Sequence, residues 1–345
     1  MRRIIGCTLA FAAAIWATGA GAETLRVAFC ARTVTSAASP FAIANKMGWF
    51  GNFKVELVPL AGSADCDKFV GTGELRYALP SIEPLAALRP QGVKAKVFYT
   101  AYQGYIYGLA VPEASPIKSY ADLKGRKIGV ASMASGGAIL AKAIATNIGV
   151  PDLPVIAVGE GAQAAALTRS GQVDALCLYD TQYSVIDTLG VKLRLIPDKE
   201  FDRFPGNGFV ALETTLATHR AEAVALAQGY AKGEVFAFAN PEAAVRILWE
   251  DMPQTKATGK DEATALRDDV KTLEARLVNM ALDKGGVKRW GESSLENYQA
   301  YLDFLLKWGQ IKEPSKASDL VTNDLVADIN AFDPKAVTAA AKAYK

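Results

Sequence analysis

Short apolar runs alternate with apolar positions at helical spacing from Thr24 to Leu212. Runs of strand length are TLRVAF (residues 24–29), residues 55–58, residues 76–79, KIGVA (127–131), residues 154–158, VDALCL (173–178) and residues 193–196. Between them, Phe41, Ala44 and Met47 form one apolar face behind Pro40, and Gly48 ends that helix. Asp65 caps a helix running to Val70, and residues 138–147 and 162–169 predict two more. Ser119 caps a short helix over 120–124 that Gly125 ends. Strands alternating with helices predict an α/β protein with doubly wound, mostly parallel sheets. Beyond Leu212 the spacing is helical: residues 217–238, 242–249, 261–282, 295–308 and 320–332. The 261–282 segment is charged on one face, which is read as solvated. Residues 335–345 are read as a frayed end.

KVFYTAYQGYIYGLAV, residues 96–111, is the most aromatic stretch, and its alternation predicts extended strands. Its tyrosines either face a ligand or pack at the base of a domain interface. Tyr102 and Tyr105, flanking a chain reversal near Gly104, are the candidates. The loop SMASGG (132–137) joins a strand end to a helix start, where free N–H groups and the positive helix end form an anion site. The plainer alternative is that its glycines only allow a tight turn. The three earlier strand-end loops carry hydroxyls at Thr33, Thr35 and Ser36, at Ser63 and at Ser81. Each suits ordinary turn chemistry, but their recurrence at one end of successive strands points to a shared cleft wall.

Composition narrows the function. Residues 1–22 form a positive start, an apolar run and a small-residue end, which predicts a secretory signal cleaved after Ala22. The apolar part, residues 4–16, is short of the roughly 20 residues that span a bilayer. Ile4-Ile5-Gly6-Cys7 precedes the apolar region instead of following it, which argues against lipidation, and Arg2-Arg3 lacks the rest of a twin-arginine motif. Removing Arg2 and Arg3 from the 38 basic residues leaves as many as the 36 acidic ones, so the exported chain is near neutral. No basic tract points to nucleic acid and no second long apolar run to a membrane. Length makes two domains the default, and the 50% apolar content supplies two cores.

Cys30 follows the first predicted strand and Cys66 the second, and a doubly wound sheet brings those loops together at one edge. A Cys30–Cys66 bridge is expected in an oxidising compartment, with two free thiols as the alternative. Cys177, inside an apolar strand, reads as a buried hydrophobe. There is no CxxC, and the lone histidine, His219, reads as a surface helix residue. That leaves almost no material for a zinc site or a Cys/His nucleophile, and no metal or cofactor is expected.

The phrase SPIKSYADLKGRKIGV with its Ser/Gly loop, the segment AQAAALTRSGQVDA (162–175) and the first-lobe order of strands and turns carry a resemblance across roughly residues 23–253. They resemble the solute-binding proteins of ABC importers for nitrate, sulfonates, taurine and thiamine-precursor pyrimidines. The resemblance implies a two-lobe periplasmic binding protein fold, type II-like, with added C-terminal helices. It places lobe 1 at 23–107 and 207–345, and lobe 2 at 108–206. It reads residues 96–111 as the first crossover between lobes, and residues 203–212 as the return, with Gly206 and Gly208 as hinge points.

The function so implied is capture of a small solute in a cleft that closes by hinge motion, and its delivery by a monomeric protein to a membrane permease with its ATPase. No covalent chemistry is expected. The ligand-binding set is Arg32, Thr35, Ser36, Ser63, Ser81, Tyr102, Ser132, Ser135, Gly136, Gly137, Tyr179 and Asp180. Arg32 could pair bidentately with a carboxylate or sulfonate, or form a surface salt bridge. Glu83 and Asp180 would repel an inorganic anion unless paired, and the tyrosines favour a planar organic solute. An aromatic or heterocyclic acid or a pyrimidine is therefore expected first, and an aliphatic sulfonate second. Two other classes stay open: a pyrimidine-synthase-like enzyme on the same fold, and a solute sensor docking on a membrane receptor. The enzyme reading, which needs an active-site histidine, is disfavoured by the lone His219 lying far from any strand end and by the export signal.

Overall fold

The apolar runs assemble into two five-stranded sheets in the computed structural model, which describes residues 23–344. The expected export signal, residues 1–22, lies outside the described residues. The first sheet has the order β2 (Phe53–Pro59), β1 (Glu23–Phe29), β3 (Tyr77–Ala78), β10 (Gly208–Leu212), β4 (Ala95–Thr100). The second has the order β7 (Val155–Ala157), β6 (Ile128–Val130), β8 (Ala175–Tyr179), β5 (Tyr107–Pro112), β9 (Leu193–Ile196). In each sheet one strand runs against the others: β10 in the first and β5 in the second. These are the strands through which the chain enters the second sheet and returns to the first.

Helices cover the sheet faces. The first lobe uses α1 (Ser39–Lys46), α2 (Ser63–Gly71) and α3 (Ile82–Leu88), and the second α4 (Gly136–Asn147), α5 (Ala162–Arg169) and α6 (Asp180–Thr188). Asp65, expected as a cap, lies within the first turn of α2, whose N-cap is Gly62. After β10 come α7 (Glu213–Thr218), α8 (Arg220–Ala239), α9 (Pro241–Asp251) and α10 (Glu262–Met280). Cys30 and Cys66 form a disulfide that ties the end of β1 to α2, while Cys177 is a buried free thiol. The bridged residues are 36 apart, and constraining an unfolded loop of that length contributes roughly 3–4 kcal/mol.

The two crossovers lie side by side. Ala101 and Tyr102 donate their N–H groups to Asn207 O at 3.1 and 2.9 Å, and Gly206 N–H donates to Tyr102 O at 2.9 Å. A Cβ at Gly206 would fall 2.8 Å from Gly104 O and 2.9 Å from Tyr102 Cβ. Glycine is therefore needed there for close approach of two backbones.

Three expectations for the C-terminal part need correction. In place of the helix expected over 320–332 there are two short ones, Ala317–Leu320 and Val326–Ile329, because the intervening segment has other partners. Thr322 N–H bonds to Val97 O at 2.9 Å, and the Asn323 amide pairs with both backbone groups of Ser293. Within the expected frayed end, residues 335–344 are ordered: Pro334–Ala343 is a helix capped by Asp333, with Val337 and Ala341 buried. The charges of α10 are not all solvated either. Arg276, which shares the apolar stripe with Leu273 and Met280, is buried, as is Thr272, and α10 packs against α6 of the second lobe, with Thr272 bonded to Ser184 at 3.0 Å.

Candidate functional site

Where the crossovers, the β1 and β8 ends and helix α10 converge, they line a cavity of about 30 Å³ between the lobes. The β1 end supplies Cys30, Thr33 and Thr35. The crossovers supply Tyr102 and Asn207, β5 and β8 supply Tyr107 and Tyr179, and α6 supplies Thr181. Arg276 reaches in from α10.

Arg276 is the only charged side chain lining the cavity among the described residues, and it is 4% exposed. Its guanidinium lies over the Tyr102 ring, 4.0 Å from the centroid. Nε and Nη2 grip the Asp180 carboxylate at 2.9 Å (Nε–Oδ2) and 2.5 Å (Nη2–Oδ1). Asn279 adds a bond to Asp180 Oδ2 at 2.9 Å. Among the described residues no hydrogen bond engages Arg276 Nη1, so one edge of the guanidinium keeps its donors. Burial opposes the charge most strongly, but the Asp180 carboxylate together with the Tyr102 and Tyr230 phenols outweighs it, and the pKa of Arg276 is raised. Burial also raises the pKa values of Tyr102, Tyr107 and Tyr179, so these phenols stay protonated. Among the described residues, two buried polar atoms of the lining have no partner: Thr181 Oγ1 and Asn207 Oδ1.

Direct contacts hold the lobes against each other around this cavity. Glu160 of the second lobe accepts from Thr33 N–H at 2.8 Å and from the Tyr179 hydroxyl at 3.0 Å. Ser132 donates to Ala61 O at 2.6 Å, and Ala64 N–H donates to Ala134 O at 3.1 Å. Lys271 of α10 pairs with Asp187 of α6.

The candidate residues divide by position. Thr35, Tyr102 and Tyr179 line the cavity, and Asp180 abuts it through Arg276. Ser36 is buried and donates to Asp269 O at 2.7 Å. Ser63 and Ser81 bond to each other at 2.9 Å, close to Gly136. Ser132 and Ser135 turn their hydroxyls to backbone oxygens, and Ser135 caps α4. A Cβ at Gly136 would lie 2.7 Å from the Tyr107 ring, and one at Gly137 would overlap Cys177 O, so both glycines serve close packing. Tyr105 sits in an aromatic cluster with Phe201, Phe204 and Tyr301. Arg32 is exposed and makes no ion pair among the described residues. The guanidinium that faces the cavity is Arg276, far along the sequence. Its one signal was placement within the apolar stripe of α10, three residues after Leu273 and four before Met280. Asn207, between two glycines of the return crossover, and Tyr107 were also missed as lining residues.

A model of the NMT1/THI5-like family matches residues 36–244, more than half of the chain. A Brucella abortus protein described as a binding protein is 26% identical over 266 residues, which cover 74% of this chain and 76% of that protein. Among solved structures, the alkanesulfonate-binding protein SsuA from Xanthomonas axonopodis pv. citri, bound to MOPS, is 16% identical with a TM-score of 0.63. The match covers 87% of this chain and 98% of that one. The nitrate-binding protein NrtA from Synechocystis is 14% identical with a TM-score of 0.61, covering 94% and 98% of the two chains. The last two are likenesses of fold, and they agree with the two-lobe α/β architecture. With its family model spanning both sheets, the chain belongs to the NMT1/THI5-like family.

Proposed function

We propose that this protein is the solute-binding component of an ABC import system. It captures a small solute with an anionic group between its lobes in the periplasm and presents it to a membrane permease. The observation that carries the reading is Arg276, buried where both lobes meet, clamped by Asp180 on one edge and with donors to spare on the other. The descriptions of the Brucella relative as a binding protein and of SsuA and NrtA as binders of alkanesulfonate and nitrate support it. The Cys30–Cys66 disulfide suits an oxidising compartment.

The cavity favours a smaller solute than the aromatic acid first expected. One water-sized sphere occupies about 10–15 Å³, so 30 Å³ matches two or three waters or one compact solute. The objection to inorganic anions also weakens. Asp180 is paired with Arg276, and burial raises the pKa of Glu83, whose carboxyl accepts from Tyr301. Covalent chemistry finds little support. Cys30 is bridged, burial pushes the Cys177 thiol well up, and His219 is exposed between α7 and α8.

Closure can be tested at Gly62. A Cβ there would fall 2.5 Å from Ala134 C and O, backbone atoms of the opposite lobe that cannot swing aside. The Gly62 backbone is extended, so alanine brings no strain of its own. Calorimetric titration with small carboxylates, sulfonates, bicarbonate and nitrate, paired with small-angle scattering, provides the readout. Wild type should bind and contract, while Gly62→Ala should fold normally, stay expanded and bind at least about tenfold more weakly. Wild-type affinity in that variant would remove closure from the mechanism, and no binding by wild type would remove the solute reading.

A further inference from the structure

Resting on that reading of the cavity, we infer that its solute carries a hydrogen-bond donor beside its anionic group, and that Asn207 and Thr181 select for it. Asn207 is 6% exposed, and its Nδ2 donates to Leu79 O at 2.8 Å. That bond fixes the orientation of the amide, because Leu79 O can only accept. The free end is then Oδ1, an acceptor with no donor within reach among the described residues. Thr181, 1% exposed, likewise holds an unpartnered hydroxyl. Asp180 does not compete for a donor on the solute, since Arg276, Asn279 and Thr181 N–H already occupy its carboxylate.

The lining residues thus combine cationic donors at Arg276 with an unpaired acceptor on Asn207, and Thr181 is able to serve either way. An acceptor-only anion such as nitrate or acetate satisfies Arg276 but sets lone pairs against Asn207 Oδ1. A solute with an N–H or O–H beside its acid group satisfies both ends. Sites built to bond a donor discriminate strongly against analogues that lack it, because the buried acceptor is left unpaired. About tenfold or more separates the two classes.

Three matched pairs test this on the mature protein by titration calorimetry: glycolate against acetate, taurine against ethanesulfonate, and bicarbonate against nitrate. In any pair that binds, the donor-bearing member should be at least about tenfold tighter. Asn207→Leu should bring the ratio to within about threefold. Thr181→Val removes a hydroxyl that has no protein partner. It should therefore leave the melting temperature unchanged or higher and weaken the donor-bearing solute about tenfold, a combination that a structural role would not give. Equal affinities within pairs, including binding through a bridging water, would overturn the inference and leave the solute reading intact. Absence of binding by all six compounds would overturn both.

Discussion

Arg276→Gln should lower solute affinity by about a hundredfold and destabilise the protein at the same time, and the two losses should separate in a second variant. The affinity loss follows from removing a charge-assisted donor in a buried site, worth about 1.5–3 kcal/mol per bond. The stability loss has a different origin. Asp180 is 11% exposed and relies on Arg276 for its charge balance, so glutamine leaves a carboxylate buried against a neutral amide. Breaking one side of a buried pair costs about 3–5 kcal/mol, most of it the penalty for the stranded charge. Asp180→Asn combined with Arg276→Gln removes that charge. The double variant should recover most of the melting temperature and none of the affinity. Titration calorimetry and thermal unfolding of the three proteins decide it. Affinity within threefold of wild type in Arg276→Gln would show that the solute does not sit at this guanidinium. Recovery of affinity in the double variant would show that Arg276 matters only as the partner of Asp180.

That pair also marks where sequence reasoning stopped. The strand–loop–helix order was legible because each short apolar run has a length and flanking residues that suit only a strand. Residues 162–169 and 193–196 form elements with the bounds their spacing suggests. Ser119, read from the sequence as a helix cap, is a local device, and the structure adds Asp122 returning a bond to its N–H. The cavity wall is not local. Tyr102 meets Arg276 because α10, threaded after both crossovers, packs across the interface onto α6, and no local pattern encodes that docking. A charge in an apolar stripe was the available signal, and the general rule that charged helix faces are solvated overrode it. Residues 320–332 failed for a similar reason: a helical pattern yielded to partners at Val97 and Ser293, both distant in sequence. The hydroxyl loops were legible as strand ends meeting at one edge. Which hydroxyls face solute and which satisfy backbone depends on ångström-scale placement. Ser63 and Ser81 bond to each other, while Thr35 at the same edge lines the cavity.

Asp67→Asn should flatten the fall in stability with rising pH. Asp67 lies on α2, is 1% exposed, and among the described residues has no hydrogen-bond partner for either carboxylate oxygen. Burial, reinforced by the nearby Glu83 carboxyl, raises its pKa well above the usual carboxylate range. The folded protein therefore holds a proton that the unfolded chain releases above about pH 4. The sign follows directly. The stability tied to this proton is complete below the unfolded pKa, and it falls as pH climbs from there to the raised folded pKa. Across that window each retained proton costs about 1.4 kcal/mol per pH unit. Glu83 and Glu234 are raised by burial in the same direction, so wild type should lose stability faster than one proton allows. Asparagine matches the shape of the protonated side chain and has no proton to lose. Denaturant unfolding at pH 4 should thus give nearly equal stabilities for wild type and Asp67→Asn. The advantage of the variant should grow by about 1.4 kcal/mol per pH unit above that, up to the raised folded pKa. Parallel curves over that range would mean that Asp67 ionises in the folded protein as it does in the unfolded chain. In that case a cation or a polar partner must reach α2 from outside the packing that surrounds it here.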